Sequence, residues 1–331
     1  MKVVVSRTVL TLFTCLSVAF PAIAELTFGA APFPTYIDDE GEPARLNAIV
    51  MEAFKRADID VTLQVLRPAF LGSGLRSGRL DGEYGFIGLD DKKDDRLYST
   101  GYLPVNLYVA GKRRHVLDIQ LLPHLQNERV AIENRFANSS ALRLIKDVKW
   151  ARNPSTFDAF RQLADDRAPY LMTTGLLIDE FNRLLRADDE ELLFLSPTPL
   201  FKSHFYLSLS KTTAEADAKV NAFNTAIAGM QKDGSFNKLL GLSWLSKDID
   251  QDGVGDFISS ASVAHARIAP ELLKLAFALD DVPTGEKSAF YIDDNRYSTW
   301  EEAAKALANA PIALRPSFLD EEVYSQIIRR W

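Results

Sequence analysis

The side chains whose types and spacing are most specific for chemistry lie in one acidic run. Asp248, Asp250, Asp252 and Asp256 alternate with other residues around Gly253. Calcium takes about six to eight hard oxygen ligands, and alternating Asp residues about a glycine turn present such oxygens to one centre. Asp248, Asp250, Asp252, the carbonyl of Val254 and Asp256 match positions 1, 3, 5, 7 and 9 of an EF-hand-like loop, and position 12 is Ser259 in place of a bidentate Glu. A structural calcium ion is the expectation, either weakly held or completed by a more distant carboxylate such as Asp293 or Asp294. A solvated acidic turn is the competing reading.

Catalytic constellations are harder to find. The four histidines, His115, His124, His204 and His265, are scattered without metal-ligand spacing, and the chain has no G-x-S-x-G, P-loop or dinucleotide fingerprint. Its single cysteine, Cys15, falls in an N-terminal leader. There Lys2 and Arg7 precede an apolar stretch, and Ala22-Ile23-Ala24 supplies a small-x-small cleavage pattern, so residues 1–24 read as a signal peptide. An uncleaved anchor is the alternative; the apolar stretch is short for a span, and no later segment is suited to membrane insertion. The mature, exported protein then has neither disulfide nor thiolate. Its 47% hydrophobic composition must supply the core unaided, which suffices for two lobes. Loss of Lys2 and Arg7 makes a net charge of −7 still more negative, which argues against nucleic acid and anionic membrane surfaces as partners. A small-molecule solute or another protein remains.

The elements that would position a binding site follow an α/β pattern. Residues 25–31 read as a strand, 44–56 as an amphipathic helix, 61–66 as a strand, 70–76 as a helix and 84–87 as a strand. This is the signature of a mostly parallel sheet with helices on its faces. A second series has strands at 130–133, 148–152, 170–173 and 192–195, with helices at 139–146, 155–164 and 175–185. Ser155 with Asp158, Thr212 with Glu215, and Ser298 with Glu301 read as helix-start pairs. A strand at 205–209 and helices to about Gln231 and Leu245 complete the pattern, and from Asp248 the character changes to a small appended module with a C-terminal helix at 319–329.

With those elements in place, several short motifs resemble the family 3 periplasmic solute-binding proteins, the group that includes the polar amino acid binders. Pro32-Phe33 follows the first strand; Ser77-Gly78-Arg79-Leu80-Asp81 precedes the third; Tyr98-Ser99-Thr100-Gly101-Tyr102 and Lys232-Asp233-Gly234-Ser235 stand where the family has related runs. The resemblance covers residues 26–245. It implies a two-lobed type 2 periplasmic-binding-protein fold, with lobe 1 formed by 25–110 and 199–247, lobe 2 by 111–198, and the module by 248–331. It also implies closure on a solute, expected to be small and polar or anionic, for an ABC-type membrane transporter or a receptor.

The same resemblance assigns site positions. Phe33 and Tyr36 are expected on one wall of the cleft, and Arg45 near its rim. The family's carboxylate-binding Arg falls on Lys92 or Lys93, and its helix-start amides on Asn138, Ser139 and Ser140. The family's amine-binding Asp falls on Thr173 or Thr174. A lysine cannot form the two-pronged contact that Arg makes with a carboxylate, and Thr cannot pair an ammonium group, so a standard α-amino acid is not the expected ligand. Two other readings stand beside solute binding: a sensor or interaction protein with a vestigial cleft, and a dehydratase-like enzyme using Glu133 or Asp81. The non-enzymatic reading is preferred.

Overall fold

The computed structural model describes residues 25–39, 41, 43–263, 265 and 270–331; the expected leader, with Cys15, lies outside them. In chain order the first lobe comprises β1 (Leu26–Ala30), α1 (Arg45–Arg56), β2 (Val61–Val65), α2 (Pro68–Ser77), β3 (Gly82–Ile87), β4 (Arg96–Tyr98) and β5 (Leu103–Pro104). The second comprises β6 (Leu107–Gly111), β7 (Arg129–Glu133), α3 (Asn134–Ala137), β8 (Lys149–Asn153), α4 (Thr156–Ala164), β9 (Tyr170–Thr174), α5 (Gly175–Ala187) and β10 (Phe194–Leu195). The chain then returns through β11 (His204–Ser210), α6 (Ala216–Lys232) and α7 (Ser235–Leu240). Last come β12 (Leu245–Lys247), β13 (Asp256–Ser259), β14 (Phe277–Ala278), β15 (Phe290–Ile292), β16 (Asn295–Tyr297), α8 (Trp300–Ala306) and α9 (Glu321–Ile328).

Three sheets result. The first runs β2-β1-β3-β11-β4, with β5 also on β11; the second runs β10-β6-β9-β7-β8; the third runs β14-β12-β13-β15-β16. In each lobe the β-α-β units give parallel pairs, β1 with β2 and β3, and β7 with β8 and β9. The strands that return through the crossings, β11 and β6, run antiparallel to their neighbours. The α/β, two-lobed architecture with a C-terminal addition is therefore present.

Boundaries differ from the sequence reading in physically simple ways. β6 pairs with β9 from Leu107 onward, so the chain enters the second sheet before Ala110. Gly241, in the left-handed region at φ 65°, stops α7 early, and Leu245 to Lys247 form a strand of the third sheet instead of a helix end in lobe 1. The expected 139–146 helix is a run of turns after the four-residue α3. Ser155 caps α4 as expected, accepting from the Asp158 amide. The cap of α8 is Thr299 with Glu302, one residue later than expected, and Glu215 sits in the left-handed region with no side-chain cap.

The module is bound into the body of the protein. Its own small core gathers Trp244, Phe257, Phe290 and Ile292. Beyond it the chain turns back, and α9 lays Tyr324, Ile327 and Ile328, all buried, onto α4 and α5 of lobe 2. Phe160 stacks on Phe181 at 4.3 Å, Tyr324 meets both rings at 6.1 Å, and Trp331 lies 5.3 Å from Phe181. Burial of each such side chain is worth about 1.5–3 kcal/mol, so α9 is an integral layer of lobe 2.

Candidate functional site

The turn after β1 positions the expected aromatic wall. Phe33 and Ile37 pair across it, and Thr35 takes φ 65°, which turns Phe33 and Tyr36 inward. Both rings are fully buried and stack at 4.6 Å. Toward lobe 2 they meet protein. Phe136 of lobe 2 meets Phe33 edge-on at 5.9 Å, and the Arg135 guanidinium lies 4.0 Å from its ring centroid while donating to the Pro32 carbonyl at 2.6 Å. Arg135 is aimed by Glu133 at 2.8 Å, whose other oxygen accepts the Thr156 hydroxyl. Arg135 keeps a quarter of its side chain in solvent, so this cation–π contact contributes about 1 kcal/mol, and the lobes attract one another directly.

The remaining expected contacts are also met from within the chain. The Tyr36 and Thr174 hydroxyls share a 2.9 Å hydrogen bond across the lobes, and burial pushes the Tyr36 phenol up to about 12 although that bond opposes the shift. Thr174 also caps α5 through the Leu177 amide; Thr173 is buried with a hydroxyl that has no partner among the described residues. Asn138 is the exit of α3 and not a helix start, which corrects the expectation of free amides there. The Ser140 amide donates to Asp90 at 3.0 Å and its hydroxyl to Asp91 at 2.9 Å, while Ser139 bonds back to Phe136. Lobe 1 carboxylates thus occupy the place expected for a ligand anion. Lys92 and Lys93 are exposed; the Lys92 ammonium sits 4.1 Å from the Tyr206 ring centroid, and the Lys93 amide donates to the Tyr98 hydroxyl.

Arg45 is the largest departure. As the first residue of α1 it was expected at the cleft rim, yet it is buried, donating to the Leu240 carbonyl at 2.9 Å and pairing with Glu180 of α5. Arg315, from the segment before α9, binds the second Glu180 oxygen at 2.9 Å, and Phe318 adds its amide at 2.8 Å and stacks beneath Arg45 and Arg315 at 4.5 and 3.6 Å. Burial by itself raises the Glu180 carboxyl, but the Arg315 hydrogen bond and the charges of Arg45 and Arg315 reverse that and hold it at about 2. Lobe 1, lobe 2 and the C-terminal segment meet in this one cluster. A side chain on Gly241 would run into Arg315 and Phe318, so glycine there admits the segment as well as ending α7.

Open space survives beside the closed cleft. A cavity of about 750 Å³ lies where the crossing strands, the start of α5 and the module converge. Tyr36 and Thr174 form part of its wall, with Tyr108 and Leu195 from the crossings and Trp244 and Phe277 from the module. Its lining is mainly apolar, with Asn106, Ser196 and Asp179 among the polar groups.

In the acidic loop, Gln251 at φ 61° and Gly253 at φ 87° make the tight turn, and carboxylate oxygens of Asp248, Asp250 and Asp256 come within 4.8 Å of one another. The Asp252 carboxylate instead accepts the Val254 amide at 2.8 Å. Ser259 points away, donating to the Ser243 carbonyl. Asp293 and Asp294 sit elsewhere, near Lys238 and Lys232; the distant carboxylate that reaches the loop is Asp280, which accepts the Asp248 amide. Burial, then the charges of Asp250 and Asp252, raise the Asp256 carboxyl despite two backbone amides that favour its charge. This donor set of hard oxygens fits calcium chemically.

No protein-family model and no curated protein matches the sequence. Among solved structures, the GluR0 ligand-binding core in complex with L-glutamate is 9% identical, with a TM-score of 0.53 over 66% of this chain and 97% of that one. A mutant of ArgBP from T. maritima is 16% identical, with a TM-score of 0.51 over 65% and 93%. The VFT2 domain of BvgS from Bordetella pertussis is 14% identical, with a TM-score of 0.51 over 65% and 91%. Each likeness leaves roughly a third of this chain unmatched. The chain thus has the two-lobed type 2 periplasmic-binding-protein fold, extended by a third sheet and a helix that returns to lobe 2.

Proposed function

We propose that this chain is an exported, non-catalytic binding protein that takes a small, largely apolar solute into the cavity at the crossings, while its interlobe cleft is shut by its own side chains. The observation that carries the proposal is the cavity itself. Its volume of about 750 Å³ falls in the range of small-molecule sites, and its walls come from the crossings, lobe 2 and the module. A solute there touches elements that move relative to one another when lobes open, so it shifts their equilibrium by its differential affinity for the two states. Handing the solute to a membrane transporter, or signalling its presence to a receptor, uses that shift. The carboxylates a dehydratase would draw on are engaged structurally, Glu133 by Arg135 and Thr156 and Asp81 by the Thr27 amide, which supports binding over catalysis.

The test uses Trp244, which lines the cavity, as the reporter. Native mass spectrometry of protein taken from the periplasm identifies a retained solute, and its titration into stripped protein is followed by tryptophan fluorescence. Ala276→Trp projects a ring into the space and is expected to weaken binding at least about tenfold, the equivalent of 1.4 kcal/mol. Tyr36→Phe removes the bond to Thr174 and is expected to change affinity far less. Binding that survives Ala276→Trp unchanged places the solute elsewhere and overturns the reading.

We also propose that the acidic loop holds a structural calcium ion through Asp248, Asp250 and Asp256. What supports this is the packing of three carboxylates within 4.8 Å, a repulsion that a divalent cation removes.

A further inference from the structure

A second cavity, of about 240 Å³, adjoins the Glu180 cluster through Arg315 and Phe318 and is lined by cations from three parts of the fold. Arg183 comes from α5 of lobe 2, Lys238 from α7 of lobe 1, and Arg315 from the C-terminal segment; Ser243 and Ser262 add hydroxyl-bearing side chains. We propose that this cavity binds a small multivalent oxyanion, of the size of phosphate or a short dicarboxylate, and that the anion fastens the three parts together.

The charges around the cavity do not balance. Glu180 is shared between Arg45 and Arg315, which leaves the buried cluster with one positive charge in excess. Arg183 leans on Asp179 at 3.4 Å, a carboxylate more than half exposed, and Lys238 on Asp293 at 3.8 Å, the long limit of an ion pair. Both pairs are long and have an exposed carboxylate, so they contribute little; Arg183 also donates to the Arg315 carbonyl at 3.3 Å, and both cations keep donors for a better partner. The Nε of Arg183 is buried and has no hydrogen-bond partner among the described residues, although a guanidinium offers five donors. Such a concentration of cations is out of keeping with the chain's net charge of −7. Arg315 already donates to both Glu180 oxygens and to the Gly241 and Pro316 carbonyls, so it contributes charge, while Arg183 and Lys238 supply the charge-assisted hydrogen bonds to carboxylate or phosphate oxygens. The space accommodates a phosphate or a dicarboxylate and is too small for a nucleotide.

The experiment is thermal unfolding of the intact mature chain titrated with inorganic phosphate and, separately, with succinate, each against sodium chloride at matched ionic strength. One of the two is expected to raise the midpoint saturably, by about 5 °C at a hundred times its half-saturating concentration. Which of them does so distinguishes a phosphate ligand from a dicarboxylate. Arg183→Gln and Lys238→Gln should each fold with nearly the parent midpoint in chloride and lose most of the saturable rise. No rise above the chloride control, or the same rise in both variants, overturns the proposal. Binding at the larger cavity has its own fluorescence readout at Trp244, so the two sites fail independently.

Discussion

Glu180→Gln should lower the stability of the folded chain by about 3–5 kcal/mol, because it leaves two guanidinium groups in a buried site with no carboxylate between them. Arg45 has almost no solvent exposure, and burial already lowers its proton affinity against the opposing pull of Glu180. Arg315→Met is expected to cost much less. It leaves the one-to-one Arg45–Glu180 pair intact, and Met covers part of the Phe318 ring. The ordering of these two variants is the diagnostic point: a simple loss of contact area would make the bulky Arg315 change the more damaging. Chemical unfolding checks the stabilities. Small-angle scattering checks the shape, since Glu180 joins α5 to both α1 and the C-terminal segment, and its loss should let the lobes separate. A loss below about 1 kcal/mol for Glu180→Gln would show that the cluster does not hold the closed form.

Acid should act on the same cluster. A folded carboxyl held at about 2 against an unfolded value near 4.5 gives stability that is fully present above the unfolded value and disappears as pH falls toward 2. The parent should therefore lose stability steeply between those limits, and Glu180→Gln should show a shallower dependence there. Conversely, the interlobe contacts that contain no ionised carboxylate, such as Tyr36 with Thr174, should be indifferent over this range.

Much of the fold was legible in the sequence because its helices carry apolar stripes and its buried strands are short apolar runs between turn signals. The two α/β series came from such periods; the lobe ranges and their crossings came from the resemblance carried by motifs such as Pro32-Phe33 and Lys232-Asp233-Gly234-Ser235. The third sheet was not legible, since strands of two to four residues such as Phe277–Ala278 and Leu245–Lys247 have no measurable alternation. The site was legible as a set of positions and misread as to what they contact. Phe33, Tyr36, Ser140 and Thr174 do face the other lobe, but the partner in each case is the chain itself. One signal in the sequence does point to the buried cluster. On α5 the apolar face runs Leu176, Leu177, Phe181, Leu184, and Glu180 sits within it at helical spacing, just as Arg45 precedes Leu46 and Ile49 on the buried face of α1. A charge inside an apolar stripe demands a buried partner of opposite sign, and two such residues on separate helices point to each other. Arg315 carries no such pattern, because the segment before α9 is irregular and its place is fixed by tertiary contacts alone.

Calcium added to chelator-treated protein should raise the unfolding midpoint by about 5 °C at a hundred times its dissociation constant, equivalent to about 2.7 kcal/mol. In the absence of the ion, Asp248, Asp250 and Asp256 repel one another, and the buried Asp256 bears part of that cost in a raised carboxyl pKa. Asp250 is the informative residue to change. It is partly exposed, and its salt-bridge partner, Arg296, lies 3.9 Å away, so Asp250→Ala should cost the metal-free protein little and relieve some repulsion. In calcium the same variant should lose most of the rise. Magnesium should substitute poorly, because it demands a near-ideal octahedron that a loop of unevenly placed carboxylates does not supply. The loop joins β12 to β13, two of the three interior strands of the third sheet, so ion binding should also slow amide exchange in both. A calcium shift of equal size in the parent and in Asp250→Ala would place the ion elsewhere. No shift in the parent would mean that the chain alone holds the carboxylates together, through the Ile249 and Ala289 amides on Asp256, the Asp252 and Gly253 amides on Asp248, and Arg296 beside Asp250.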